Sequence, residues 1–236
     1  VAKQVKECKI EVDKLIDVKN LKKDEAVFNV LREYIKESKK IRFNGDGYGE
    51  AWEKEAKKRG LSNNKTTPEA LQIQISKEVI DLYKEMDVMS KVEIEARYEI
   101  ALQEYTKRLQ IEGRVLCDIA KNHVVPTAVI YQNTLLENTK NLKEIFGGEY
   151  KNIAKEQIEL IMTISNHITG INALVIKMEE QRAKANKYTG LKSADMYCKN
   201  VKPFFEEIRF HCDKLETMVD DNLWPLTKYR ELLFTK

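Results

Sequence analysis

The residues of this chain that could carry chemistry are three histidines, four cysteines, a set of carboxylates and one glycine-rich loop. A carboxylate-bridged metal centre in a helical bundle needs Glu-x-x-His pairs, which place both ligands on one helix face. None is present, because Ala120, Ile164 and Ile208 stand three residues before His123, His167 and His211. His211 and Cys212 are neighbours and cannot point the same way on a helix, so no metal site is expected. Cys8, Cys117, Cys198 and Cys212 have no paired spacing and fall at helical packing positions. They read as reduced, inert core thiols of a cytosolic protein.

Most carboxylates pair with a basic residue one turn on, as Glu53 with Lys57 and Glu104 with Arg108. Glu112 differs, since it lies beside Gly113 near an apolar stripe and could face Arg97, Arg114 or another helix. We take Arg97 and Glu112 as a candidate buried polar pair with a structural rather than acid–base role. The most distinctive short motif is Phe43-Asn44-Gly45-Asp46-Gly47-Tyr48. It lacks the Gly-Lys-Ser/Thr of a phosphate loop and the alternating acids and closing Glu of a calcium loop. The expectation is a tight turn seated on neighbouring helices, with Asn44, Gly45, Asp46, Gly47 and Tyr48 as the candidate interface or effector loop.

One stretch, Ser90 to Phe146, must position most of these groups. Ser90 and Glu93 form a capping box, so a helix should start near Lys91. Ile94, Tyr98, Leu102, Tyr105, Leu109, Gly113, Leu116, Ala120 and Val124 then recur in steps of three and four, with Ile111, Val115 and Ile119 widening the stripe. Pro126 predicts a kink. The pattern resumes through Ala128, Leu135, Leu142 and Phe146, and Gly147-Gly148 ends it.

The flanking segments are helical as well. Val1 to about Lys40 reads as a hairpin whose second helix is capped by Asp24, and a short helix from Glu50 to Arg59 ends at Gly60. Thr67 should cap a turn holding Pro68, and Ser76 a further short helix. Tyr150 to about Lys184 and Ser193 to about Asn222, the latter bent at Pro203, complete the pattern before the apolar tail Leu223–Phe234. The short glycine link should turn the Tyr150 helix back along the preceding one as far as about residue 112. The helices before Ser90 and the tail would then cover Ile94, Tyr98, Leu102 and Tyr105. The fold class expected is all-α: an elongated antiparallel helical bundle around one long helix kinked near Pro126, with short N-terminal helices. Residues 1–40, 41–67 and 68–236 form the hairpin, the loop with its short helix and linker, and the bundle.

Charged residues make up 33% of the 236, yet 41 basic residues against 38 acidic ones, interleaved, give a net charge of only +3. That argues against a nucleic-acid surface or a polybasic membrane anchor. No apolar run approaches the roughly 18 to 20 residues of a membrane span, and no signal-peptide pattern opens the chain. Val1 is not an initiator methionine, and the chain is expected to be a fragment of something longer.

Four blocks, FNGDGYGEAWEKEAKKRGL, KTTPEAL, EARYEIALQEYTKRLQIEG leading to Pro126, and DKLETMVDDNLWPLTKYRELLF, resemble in order and spacing the C-terminal region of bacterial type III glutamine synthetases. The similarity spans essentially the whole chain. Departures are Gly113, where the family tends to have Ala, Val125, where it tends to have Leu, and Thr227, where it tends to have Pro. The resemblance implies a parent enzyme that joins ammonia to glutamate with ATP and magnesium or manganese, in a cytoplasmic homododecamer. It places the catalytic groups upstream of Val1, so no catalytic, cofactor-binding or metal residue is assigned here and the chain alone is expected to be inactive. Its partners are then its own catalytic domain and other subunits, with no nucleic acid and no membrane. An effector-binding regulatory module and an unrelated helical scaffold or signalling bundle are the alternatives.

Overall fold

The computed structural model describes residues 1–233, and among them every regular element is helical. The all-α class read from the sequence is the class observed. The chain divides into two compact units, Val1–Glu99 and Ile100–Lys236.

In the first unit α1 (Ala2–Lys19) ends at Asn20 in the left-handed conformation and turns into α2 (Lys23–Glu37), which buries Ala26 and Val30. The N-cap of α2 is Lys22 rather than Asp24. Asp24 and Glu25 instead sit in the first turn, where negative charge complements the unpaired N–H groups of the helix start. Next come α3 (Glu50–Lys58), α4 (Thr67–Gln72) and α5 (Lys77–Glu85). The cap of α4 is Thr66, not Thr67: its hydroxyl accepts from the Glu69 N–H at 3.4 Å. Ser76 caps α5 as expected, accepting from the Val79 N–H at 3.4 Å. Lys3 Nζ meets Glu85 at 2.9 Å and ties α5 to the start of α1.

Helix α6 (Lys91–Asp118) begins where the capping box places it. The Ser90 N–H donates to Glu93 Oε2 at 2.7 Å, and the Glu93 N–H donates to Ser90 Oγ at 3.4 Å. The bonds from Ser90 hold the Glu93 carboxyl below the ordinary carboxylate range. A carboxylate whose pKa falls on folding adds stability above its unfolded pKa, and that stability is lost as pH drops through the folded value. Fraying of residues 91–94, followed by amide exchange, is therefore expected to increase through the acid range below about pH 4.5. Ser90→Ala should weaken the protection already at neutral pH.

At the position of the expected kink, just before Pro126, a π-helical turn, Ile119–Val124, joins α6 to α7 (Val125–Phe146). The Val125 N–H reaches five residues back to the Ala120 carbonyl. The wider turn takes up the missing donor and the ring of Pro126. The same device recurs: α10 (Gly190–Met196) passes through the π turn Tyr197–Val201, with the Lys202 N–H on the Tyr197 carbonyl at 2.9 Å, into α11 (Pro203–Met218).

Gly147, at φ 53, stops α7, and after the single turn α8 (Tyr150–Ile153) the chain returns as α9 (Lys155–Ala185). Cross-helix hydrogen bonds show the antiparallel register. Asn138 Nδ2 reaches Gln157 Oε1 at 2.8 Å, Gln132 Nε2 reaches the Ile161 carbonyl at 2.8 Å, and Gln110 Nε2 reaches Asn186 Oδ1 at 3.0 Å. One helix thus lines α6 and α7 through the π turn, back to residue 110.

Ile164, Ile171, Val175 and Met178 of α9 form the centre of the core with Ala120, Val124, Tyr197, Val201, Ile208 and Leu215. The apolar stripe of α6 is buried at Ile94, Tyr98, Leu102, Leu109, Ala120 and Val124. The second line is different: Ile111 and Val115 are exposed. Leu102 and Thr106 share the wall of a groove of about 240 Å³ with Tyr188, Thr189, Gly190 and Ser193, the turn into α10, a neighbour that helical periodicity did not assign to them. The tail packs on the core of its own unit through Trp224 and Leu226, and Lys228 Nζ donates to the Glu216 carbonyl at 3.0 Å. Beyond α12 (Tyr229–Leu232), Phe234 of the expected tail lies outside the described residues.

By length and composition α9 could cross a membrane, with a mean hydropathy of 1.2 over its most apolar 18 residues, which corrects the expectation that no segment approaches that limit. Asn166, His167 and Asn172 interrupt that stretch, and its Ile164–Met178 stripe is the bundle core.

Candidate functional site

The Asn44–Tyr48 loop is held from beneath by aromatic and cationic groups. Phe43 packs on Trp52 with ring centroids 4.8 Å apart, and the Arg59 guanidinium lies over Phe43 at 5.9 Å. Arg59 then fixes the approach to the loop. Its Nη1 donates to the Arg42 carbonyl at 2.6 Å and the Lys40 carbonyl at 3.2 Å, and its Nε donates to Glu55 at 2.7 Å. Asp46 Oδ1 accepts from the Tyr48 N–H at 2.9 Å, closing an Asx turn. The turn is built, but its tip is not seated: Asn44, Gly45, Asp46 and Gly47 are exposed and Tyr48 is 100% exposed.

The candidate buried pair is corrected, since Arg97 and Glu112 are both exposed. Of the two surface pairs, Glu104–Arg108 forms, whereas Glu53 meets Lys65 at 2.5 Å rather than Lys57. The buried charge is Arg182 of α9, only 4% exposed. Its Nη1 pairs with Glu179 one turn back, and its Nε is buried without a partner. The stem of Arg182 and the ring of Phe205 approach α6 at Gly113, where an added Cβ would lie 3.4 Å from Arg182 Cδ and from Phe205 Cε1. That is ordinary contact. Gly113→Ala should therefore stabilise the unit by about 0.5–1 kcal/mol through helix propensity, measured by chemical denaturation.

Around Arg182 lies a polar seam. Cys117 Sγ donates to Glu179 Oε1 at 3.3 Å, and burial first, with that bond, pushes the thiol up to about 12. Tyr197 OH donates to Asn186 Oδ1 at 2.6 Å, and burial together with a hydrogen bond to Cys198 raises the Tyr105 hydroxyl. Burial also pushes Cys212 up to about 11. Such thiols are protonated and unreactive at neutral pH. Helical periodicity could not find Arg182, because arginine at a core position reads as a surface residue until its partners are known.

His167 and His211, on α9 and α11, meet with Nδ1 atoms 2.8 Å apart, a pair that sequence spacing did not reveal. Burial, then the charges of His211 and Lys214, lower the His167 pKa. His123 is exposed and separate. Among the described residues no group of three or more His, Cys, Asp or Glu converges.

The family of the glutamine synthetase C-terminal domain matches residues 26–143. Over its full length the chain is 45% identical to a glutamine synthetase of Bacteroides fragilis, covering 32% of that protein. Over 90% of its length it is 30% identical to a type-3 glutamine synthetase of Dictyostelium discoideum, covering 29% of that protein. A glutamine synthetase of Butyrivibrio fibrisolvens is 29% identical over 89% of the chain, which covers 30% of it. The chain thus spans about a third of the length of the curated relatives it matches. Fold and coverage define an all-helical domain that in its relatives is part of a longer protein. The chain belongs to the glutamine synthetase C-terminal domain family.

Proposed function

We propose that this chain is the C-terminal helical domain of a type III glutamine synthetase, and that it braces the enzyme rather than performing its reaction. The observation carrying this reading is coverage: the whole chain aligns with only about a third of a glutamine synthetase, and the matched family is that of a C-terminal domain. The type-3 relative supports the subtype. The full-length protein would ligate ammonia to glutamate using ATP and magnesium or manganese, in the cytoplasm and as a homododecamer. Its catalytic groups would lie upstream, with residues 1–40 as the joint to the catalytic domain, 41–67 as loop and linker, and 68–236 as the appended bundle. The role proposed for the domain is subunit assembly or regulation, through contacts with its own catalytic domain and with neighbouring subunits.

The Asn44–Tyr48 loop is the contact or effector element proposed for that role, because a tyrosine presented on a pre-formed turn suits a docking surface. The family match sets aside an unrelated scaffold. Deleting everything after Lys40 from the full-length enzyme tests the reading. Impaired ring assembly, stability or regulation supports it, and an enzyme unchanged in all three removes it. The isolated chain, given glutamate, ammonia, ATP and magnesium, is expected to show no turnover.

A further inference from the structure

We propose that His167 and His211 form a two-histidine site for a divalent transition-metal ion of the zinc class, held between α9 and α11. The two Nδ1 atoms are 2.8 Å apart, and the rings meet edge-on with centroids 5.1 Å apart. In the metal-free pair only one of those nitrogens can carry a proton, which the other accepts. A metal ion can replace that shared proton, because two nitrogens already converge on one point. Tetrahedral zinc at about 2.0–2.1 Å from each nitrogen sets them about 3.3–3.4 Å apart, roughly half an ångström wider than the hydrogen-bonded pair. Rotation of two half-buried side chains supplies that distance without moving either helix.

The backbone is fitted to one of these rings. A Cβ at residue 170 would stand 2.7 Å from His211 Cε1 and Nε2, so only glycine lets the imidazole lie against α9 here. Glycine inside a helix costs about 0.5–1 kcal/mol relative to alanine, and α9 bears that cost where the ring sits. Beside the pair a groove of about 530 Å³ is lined by Gly170, Ala173 and Leu174 on one side and by Glu206, Glu207, Phe210 and His211 on the other. It gives solvent and ions a way to His211. The two glutamates favour a cation there, while the charge of Lys214 on α11, which acts on His167, opposes one. Two imidazoles with water in the remaining positions select zinc, copper(II) or nickel, not magnesium, which demands oxygen ligands.

Calorimetric titration of the chain with zinc chloride at pH 7.5, against magnesium chloride, tests this. One zinc per chain is expected, with no magnesium heat, and binding weaker by about tenfold or more in both His167→Gln and His211→Gln. Circular dichroism in EDTA checks that each variant is folded. In the unsubstituted chain, zinc should also shift the ring Nδ1 resonances of His167 and His211 in nitrogen NMR, a readout independent of the variants. No zinc heat, unshifted Nδ1 resonances, or affinity unchanged in either folded variant overturns the proposal.

Discussion

Replacing Ile171 with alanine is expected to destabilise the Ile100–Lys236 unit by about 3 kcal/mol, within the range of roughly 2–5 kcal/mol found for buried isoleucine truncations. Ile171 is 0% exposed and belongs to the cluster that α9 builds with the neighbouring helices. Three carbons removed there leave a void that neighbours on several sides cannot all collapse into, because cores are packed near crystal density. Ile176, five residues along the same helix, is 57% exposed and serves as the control, since its alanine variant should lie within about 0.5 kcal/mol of the parent. Urea unfolding of both variants, followed by circular dichroism, gives the comparison. The pair also decides what the hydropathy of α9 means. A core helix has one intolerant stripe and one indifferent face, as Ile171 and Ile176 predict. A lipid-facing helix would respond alike at both positions in water. Equal effects at the two sites would sink the assignment of α9 as the bundle's central helix.

The sequence was most informative where a local rule has no competitor. Ser90 and Glu93 satisfy each other's backbone groups within four residues, and Gly147 supplies a positive φ that other residues avoid, so both ends of the α6–α7 rod were legible. The stripe from Ile94 to Val124 was legible for the same reason, being one periodicity with one buried face. Errors arise where two local rules agree on a residue but tertiary structure chooses its neighbour. Thr66 and Thr67 can both cap, and the chain direction before Pro68 selects the first. Ile111 and Val115 fit a helix stripe, yet among the described residues both stay exposed. Pro126 announces a disturbance without saying which kind, and the structure meets it with a π turn in the residues just before the ring. The candidate site fared worse than the fold. The Asn44–Tyr48 turn was foreseeable from glycine and aspartate, whereas its tie to Arg59 was not. The His167–His211 and Arg182–Gly113 meetings join residues distant in sequence, and only the register of α9 on its neighbours creates them.

Arg182 gives the second large expected effect, and two substitutions separate its parts. Arg182→Ala should cost the unit about 2–4 kcal/mol, because it removes an aliphatic stem packed against Gly113 and Phe205 and leaves a cavity between α6, α9 and α11. Arg182→Met should cost no more than about 1 kcal/mol, since methionine restores most of the stem volume in a flexible form. The charge adds little to the balance. Its Nε is buried without a partner, a penalty the methionine lacks, and Glu179 is 49% exposed and can be solvated once its partner is gone. If the ion pair were the main contribution, the two variants would be equally destabilised, because both abolish it. Chemical denaturation of the pair therefore distinguishes packing from electrostatics directly. Combining Arg182→Met with Gly113→Ala provides a check on the geometry. The added Cβ would lie 3.4 Å from Arg182 Cδ and 3.5 Å from Nε, ordinary contact distances that the flexible methionine can also meet, so the gain from alanine should persist with methionine in place.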